Sequence, residues 1–277
     1  MTNPDELQGP DLLFTEAEWT AVMPKVCAEM TDYLRRYRTP VFIDHGDHGS
    51  PHGSGSFLEV AGRKFVLTNE HVAAAKRKGN PLGVRFHDQD QLLVLMGDHV
   101  EATWPWDLAL LPVSDEGWSK FDHSAAAIQI DQIALAHAPY PTEVLAFSGY
   151  AGERTTFVFE TMQFGATTSL AREVALAAHA DLDERFHFGM AYLPDLATSV
   201  VGDRGLPRPP GLSGSTVWNT GFVEAKAKGV EWTPELAKVT GVVWGWPTGQ
   251  GAVVATRAEH LRSFLLGATS ALAPLES

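Results

Sequence analysis

Gly211-Leu212-Ser213-Gly214-Ser215 sets a serine among glycines, and its reading decides how the rest of the chain is organised. Two segments upstream give it meaning: Leu67-Thr68-Asn69-Glu70-His71-Val72 and Trp106-Asp107-Leu108-Ala109-Leu110-Leu111. A serine hydroxyl is a poor nucleophile at neutral pH. It becomes a good one when an imidazole takes its proton and a carboxylate orients that imidazole. The spacing is 36 residues from 71 to 107 and 106 from 107 to 213, room for one β-unit to supply His and Asp and a second to supply Ser.

Together the three segments resemble the trypsin-like (chymotrypsin-fold) serine peptidases, in particular their bacterial members without disulfides, over residues 39–267. The family's order along the chain is His, Asp, Ser. Residues 68–72 match its bacterial string Thr-Asn-x-His-Val, and residues 107–110 match Asp-Ile/Leu-Ala-Leu/Val. Gly53-Ser54-Gly55-Ser56-Phe57 looks like the entry to the same hairpin. The resemblance implies His71 as general base, Asp107 as its orienting acid and Ser213 as nucleophile. It also implies the amides of Gly211 and Ser213 as an oxyanion hole. Each residue has a plain structural counterpart: a surface histidine after a strand, a strand-start aspartate held by backbone amides, a Gly/Ser loop without chemistry. Asp98 is the nearest rival acid, but no apolar strand follows it.

Two departures from the family pattern stand at the serine. Leu212 occupies a position where animal peptidases carry Asp, which implies no activation by a newly cut N-terminus. Ser215-Thr216 follow where Gly-Pro is usual. An α/β-hydrolase serine needs Gly two places on, where this chain has Ser215, and Ser148 in Phe147-Ser148-Gly149-Tyr150 reads as a strand end. Pro207 lies six residues before Ser213, where trypsin-like enzymes place an acid that selects Lys or Arg, so the pocket is expected to take an uncharged side chain. Residues 241–246 (GVVWGW) resemble the strand that pairs with substrate backbone. Trp244 and Gly245 are the expected substrate-binding residues, with the register open by one.

Composition narrows the remaining choices. The 277 residues are 44% hydrophobic, ample for one or two domains. No uninterrupted apolar run reaches a membrane span, and the acidic residues of 1–19 do not read as a secretory leader. Cys27 is the single cysteine, so no intrachain disulfide is available, and a cytoplasmic location is expected. A net charge of −13 argues against a nucleic-acid partner. His45, Asp47, His48 and His52 crowd one loop, but their spacing fits no firm zinc pattern. Neither a metal nor a cofactor is expected, and no phosphate loop or dinucleotide fingerprint is present. His187 in Phe186-His187-Phe188 reads as structural or as part of a substrate loop.

The expected architecture is all-β: two six-stranded antiparallel barrels, residues 39–130 and 131–277, after an N-terminal helical arm at 1–38. Thr15 and Glu18 form a capping box, and Trp19, Val22, Met23, Val26, Met30, Tyr33, Leu34 and Tyr37 make one apolar stripe. Arg35, Arg36 and Arg38 are placed in the last turn of a helix over 11–38, which packs against a barrel flank. Strands are expected at 41–43, 55–60, 63–68, 82–86, 91–96 and 108–113, then at 142–150, 154–163, 216–219, 239–244 and 252–256. An insertion spans 169–210, and a final helix spans 257–272. The function these imply is a serine endopeptidase acting on a protein or peptide substrate, restrained by a narrow pocket, a disordered oxyanion loop or a regulatory protein partner. The resemblance carries with it a bacterial signalling or defence setting. Two rivals stand beside it: an idle pseudopeptidase used as a binding module, and an esterase built on the same three residues.

Overall fold

A computed structural model describes residues 13–46, 48–158, 161–200, 205–247 and 251–272. The leader reading of the first residues, Asp47 and positions 159–160 of the strand expected at 154–163 fall outside these. Helix α1 (Glu16–Leu34) starts at the expected capping box. The Thr15 hydroxyl accepts from the Glu18 amide at 3.2 Å, and the Thr15 amide donates to the Glu18 carboxylate at 2.8 Å. Its apolar stripe buries Val26, Met30, Tyr33 and Leu34. The helix stops at Leu34 rather than at residue 38, and Arg38 opens the first strand. Its guanidinium reaches the Ser148 and Thr168 hydroxyls on the second sheet. That contact, not the helix dipole, is what Arg38 serves.

The first sheet is built from β1 (Arg38–Asp44), β2 (Gly49–Val60), β3 (Arg63–Thr68), β4 (Leu82–Val84), β5 (Leu93–Val94), β6 (Val100–Ala102) and β7 (Leu108–Val113). Helix α2 (Glu70–Arg77) follows β3, and α3 (Asp115–Ser119) follows β7. The strands pair antiparallel in the order β5-β4-β1-β2-β3-β7-β6. The second sheet holds β8 (Leu145–Val158), β9 (Thr161–Ala171), β10 (Glu173–Val174), β11 (His187–Ala191), β12 (Thr216–Asn219), β13 (Lys238–Gly245) and β14 (Ala252–Arg257), in the order β10-β11-β14-β13-β12-β8-β9. Helix α4 (Phe222–Ala227) follows β12, and α5 (Ala258–Leu272) closes the described chain. The expected two-sheet β architecture with a helix at each end is present, each sheet counting seven strands with its short ones.

Three differences in the strands have local causes. The single strand expected at 154–163 is instead the end of one long hairpin, β8 paired with β9 from Leu145↔Ala171 to Val158↔Thr161. Residues 154–163 contain no Gly or Pro to mark a turn. The insertion at 169–210 contains β11, which pairs with β14 through His187↔Thr256 and Ala191↔Ala252. Its sequence, His-Phe-Gly-Met-Ala, has no β-branched residue to announce a strand. Ser148 lies inside β8, not at a strand end.

Apolar packing divides three ways. Phe57, Val66, Leu82, Phe86 and Leu111 fill the first sheet's interior, and Phe147, Phe188, Tyr192, Val217 and Val253 fill the second. The largest cluster lies between them: Met30, Tyr33 and Leu34 of α1 and Leu261 and Phe264 of α5 pack with Leu58, Leu67, Trp218 and Val239. Each such side chain contributes about 1.5–3 kcal/mol on burial. The N-terminal arm is thus part of the core that fixes one sheet against the other, and the seam it stabilises carries the site.

Candidate active site

His71 sits in the first turn of α2, which begins as β3 ends at Thr68. Asp107 immediately precedes β7, which pairs with β3 through Thr68↔Ala109. Adjacent strands therefore deliver both residues to one edge of the first sheet. The His71 ring Nδ1–H donates to Asp107 Oδ2 at 2.7 Å, and the His71 backbone amide donates to Oδ1 at 3.0 Å. One residue engages both carboxylate oxygens. Asp107 is 12% exposed at its side chain and His71 48%, so the acid is sheltered while the imidazole faces solvent. Asp98, the rival acid, is exposed, and no hydrogen bond joins it to His71.

Asp107 adopts φ +47°, in the left-handed region. Asp tolerates that region better than most residues, at a cost of about 1–3 kcal/mol that its surroundings must offset. The turn is tied down on all sides. The Thr103 carbonyl accepts the amides of Trp106 and Asp107. The carbonyls of Pro105, Trp106 and Asp107 accept from the His187 ring (2.7 Å), the Thr256 hydroxyl (2.8 Å) and the Asn69 side-chain amide (2.8 Å).

Ser213 is the second corner of the later of two consecutive reverse turns. In the first, Leu212 N–H donates to the Pro209 carbonyl at 2.9 Å, with Pro210 at the second corner and Gly211 at the third with φ +100°. Pro fixes φ near −65° at the second position, and a type II turn requires positive φ at the third, which suits Gly. In the second turn Ser215 N–H donates to the Leu212 carbonyl at 3.1 Å, with Gly214 at φ +92° in the equivalent place. The Pro210 carbonyl is held by the Gly152 amide at 2.9 Å. In a trans peptide the N–H points opposite to the carbonyl, so the Gly211 N–H is turned away from β8. Among the described residues neither the Gly211 nor the Ser213 amide has an acceptor.

The first sheet grips this loop. Ser54, on β2, donates its amide to the Ser213 carbonyl (2.8 Å) and its hydroxyl to the Gly211 carbonyl (2.7 Å). The same hydroxyl accepts the Tyr150 amide at 2.8 Å. A Cβ built on Gly53 would lie 3.0 Å from Val72 of α2 and 3.4 Å from the Ser213 carbonyl. The nucleophile loop and the His71 helix therefore meet across one strand of β2. Ser213 Oγ itself donates to the Trp244 carbonyl at 3.3 Å, and no hydrogen bond joins it to the His71 ring. The structure pairs two of the three predicted residues directly and seats the third on the adjoining loop.

At Trp244, β13 runs past the end of β12. β12 pairs with β13 only as far as Thr216↔Val242, after which Gly214 N–H meets the Val243 carbonyl. Beyond Val243 no described strand pairs with that side of β13, and the Trp244 carbonyl is the next acceptor, meeting the Ser213 hydroxyl. The Trp244 ring turns the other way, onto His187 at 5.0 Å between centroids. Pro207 is buried, its carbonyl accepting the Tyr192 hydroxyl at 2.8 Å. Thr216, one of the unusual residues after the serine, bonds Ser56 of β2 (2.9 Å) and the Trp218 indole (3.0 Å). Its hydroxyl ties the two sheets together. The His45 and His48 rings stack at 4.7 Å, while the His52 ring donates to the Val72 carbonyl at 3.0 Å. No cluster of three or more metal-binding side chains occurs among the described residues.

Sequence reasoning missed Ser54 as a clamp, Asn69 and Thr256 as carbonyl donors, and the place of His187 behind Asp107. Ser54 and Asn69 lie inside strings already quoted, so position within a motif was the available signal. Nothing local marks Thr256.

No family model matches the chain, and no curated protein sequence does. Solved structures do match. Mouse neuropsin, a serine protease expressed in the limbic system of the brain, is 13% identical over 85% of this chain and 95% of its own, with a TM-score of 0.53. An inactive form of Rv3671c from M. tuberculosis is 16% identical over 91% of this chain and 96% of its own, at 0.49. The serine protease domain of the Sesbania mosaic virus polyprotein is 12% identical over 83% and 92%, also at 0.49. The likeness to neuropsin, with the two antiparallel sheets and their terminal helices, shows that this chain has the chymotrypsin fold. No described helix is long and apolar enough to cross a membrane.

Proposed function

We propose that the chain is a serine endopeptidase that cleaves a peptide bond of a protein substrate through an acyl-enzyme on Ser213. The observation that carries this reading is the His71–Asp107 pair, bonded at 2.7 Å on the edge of the first sheet against which Ser54 holds the Ser213 loop. Asp107 fixes the imidazole with hydrogen on Nδ1, leaving Nε2 free to take the serine proton. Ser213 Oγ attacks the scissile carbonyl carbon as that proton moves to His71. The developing oxyanion is received by the unpartnered amides of Gly211 and Ser213. His71 then gives its proton to the leaving amine, and water repeats the sequence in reverse to free the acid.

The Trp244 carbonyl couples substrate binding to the nucleophile. A peptide laid along the open side of β13 brings a backbone N–H to that oxygen. The N–H displaces the Ser213 hydroxyl, which swings about χ1 toward His71. A resting hydroxyl turned away from its base is common in free enzymes and does not oppose the assignment. Pro207, six residues before Ser213, is buried and carries no charge, which favours an uncharged side chain at the cleavage site.

Esterase and pseudopeptidase are the two rivals. Of the unusual Ser215-Thr216 that would support an idle site, Thr216 bonds Ser56 across the two sheets, and Ser215 is fully buried. The displacement step separates peptidase from esterase. An N-acylated amino-acid ester, which carries the N–H that Trp244 accepts, is expected to be hydrolysed at least tenfold faster (kcat/KM) than a simple ester of equal leaving group; tenfold corresponds to about 1.4 kcal/mol, within the range of one hydrogen bond. Equal rates would remove the peptidase reading in favour of a general esterase, and no turnover of either would favour a binding module.

A further inference from the structure

His187 is a buried imidazole, 2% exposed, to which the peptidase chemistry gives no task. Its two nitrogens have partners that fix its state. Nε2 lies 2.7 Å from the Pro105 carbonyl, which can only accept, so Nε2 carries the hydrogen. Nδ1 lies 3.2 Å from the Asp183 backbone N–H, which can only donate, so Nδ1 is bare. The ring is therefore neutral and in one tautomer. Burial acts in the same direction, holding its pKa below the ordinary histidine value against the opposing pull of Asp183 and Asp107.

What this ring holds is the turn that ends at Asp107. Three consecutive carbonyls of that turn, those of Pro105, Trp106 and Asp107, are each fastened by a side chain, and two of the fasteners belong to the second sheet. His187 opens β11 and Thr256 lies opposite it on β14, a paired couple in the ladder. Asp107 keeps a left-handed φ of +47°, which persists only where the surroundings over-determine it. The imidazole also packs on the Trp244 ring, at 5.0 Å between centroids, and the Trp244 carbonyl meets Ser213.

We propose that His187 is a positioning residue for the Asp107 carboxylate: from the second sheet it clamps residues 103–107 of the first through one N–H to the Pro105 carbonyl. It sets the angle at which Asp107 meets His71. The consequence for turnover rests on the serine-peptidase reading; the consequence for the His71–Asp107 bond does not.

Three variants separate clamp from bulk. Gln can present an amide N–H where His187 Nε2 stands. Asn places its amide nearer the position of Nδ1 and falls short of Pro105. Leu fills space without a donor. The readouts are steady-state kinetics and the low-field proton NMR signal of the His71 Nδ1–H, recorded in the full chain with Ser213 intact and with Ser213→Ala. The expected result is a loss of kcat on the order of tenfold to a hundredfold in His187→Leu and His187→Asn, with KM little changed, and recovery of most of it in His187→Gln. The low-field signal is expected to broaden or vanish in Leu and Asn and to persist in Gln, whether or not Ser213 is present. If His187→Leu does not fold, the Asn and Gln pair decides alone. The inference is overturned if Asn and Leu keep kcat within twofold and retain the signal, or if Gln is as impaired as they are. A wild-type protein with no turnover but a signal that follows this pattern would sink the peptidase reading and leave the clamp standing.

Discussion

Asp107→Asn is expected to lower kcat by about 10⁴-fold while the protein stays folded. The reason lies in what the carboxylate accepts. Oδ1 takes the His71 backbone amide and Oδ2 takes the ring Nδ1–H. An asparagine has one acceptor oxygen, and the backbone N–H, which cannot change its character, claims it. The amide NH2 then faces the ring, so Nδ1 must be bare and the hydrogen moves to Nε2. An imidazole in that tautomer cannot take the serine proton. Steady-state hydrolysis of a peptide ester, with circular dichroism as the check on folding, measures this. A loss smaller than tenfold in a folded variant would show that Asp107 does not orient the base.

Gly211→Ala is expected to remove at least 10²–10³ of turnover, the usual worth of one oxyanion donor, and about 1–3 kcal/mol of stability besides. A Cβ at 211 would stand 2.6 Å from the Tyr150 carbonyl oxygen and 2.7 Å from the Gly152 nitrogen. Both obstacles are backbone of β8, which pairs with β9 and β12 and cannot yield cheaply. The φ of +100° adds strain for any side chain. The Pro210–Gly211 peptide must then reorient, breaking the Gly152-to-Pro210 bond that keeps the Gly211 N–H turned away from β8. Chemical denaturation and kcat, read on one preparation, test both halves. An alanine variant with near-normal turnover would mean that the Gly211 amide receives no oxyanion.

Much of the site was legible because each part sits at a boundary the sequence marks. His71 follows a strand of Phe65-Val66-Leu67 and starts a helix with a low-propensity Asn before it. Asp107 heads Leu108-Ala109-Leu110-Leu111, and glycines bracket Ser213. Apolar periodicity and turn residues are local signals, and they placed β1, β3, β7 and β12 to β14 to within about three residues, while β2 starts well before the expected residue 55 and α1 is shorter than expected at both ends. The parts that stayed hidden depend on tertiary contact. Between β8 and β9 the sequence offers no Gly or Pro to mark a turn, and β11 owes its strand to β14 rather than to its own residues. The end of α1 moved because Arg38 finds Ser148 and Thr168 across the seam. The clamp from His187 to Pro105 joins positions 82 residues apart, a distance at which one sequence carries no pairing signal.

The account stands on Ser213 being activated by His71, and reaction with a fluorophosphonate followed by mass spectrometry of the labelled peptides tests that directly. Only a serine whose proton is taken by a base reacts at a useful rate. A single adduct on Ser213 in the wild-type chain, lost in His71→Ala, is the predicted result. An unlabelled protein, or labelling of Ser213 that proceeds as fast in His71→Ala, would contradict it.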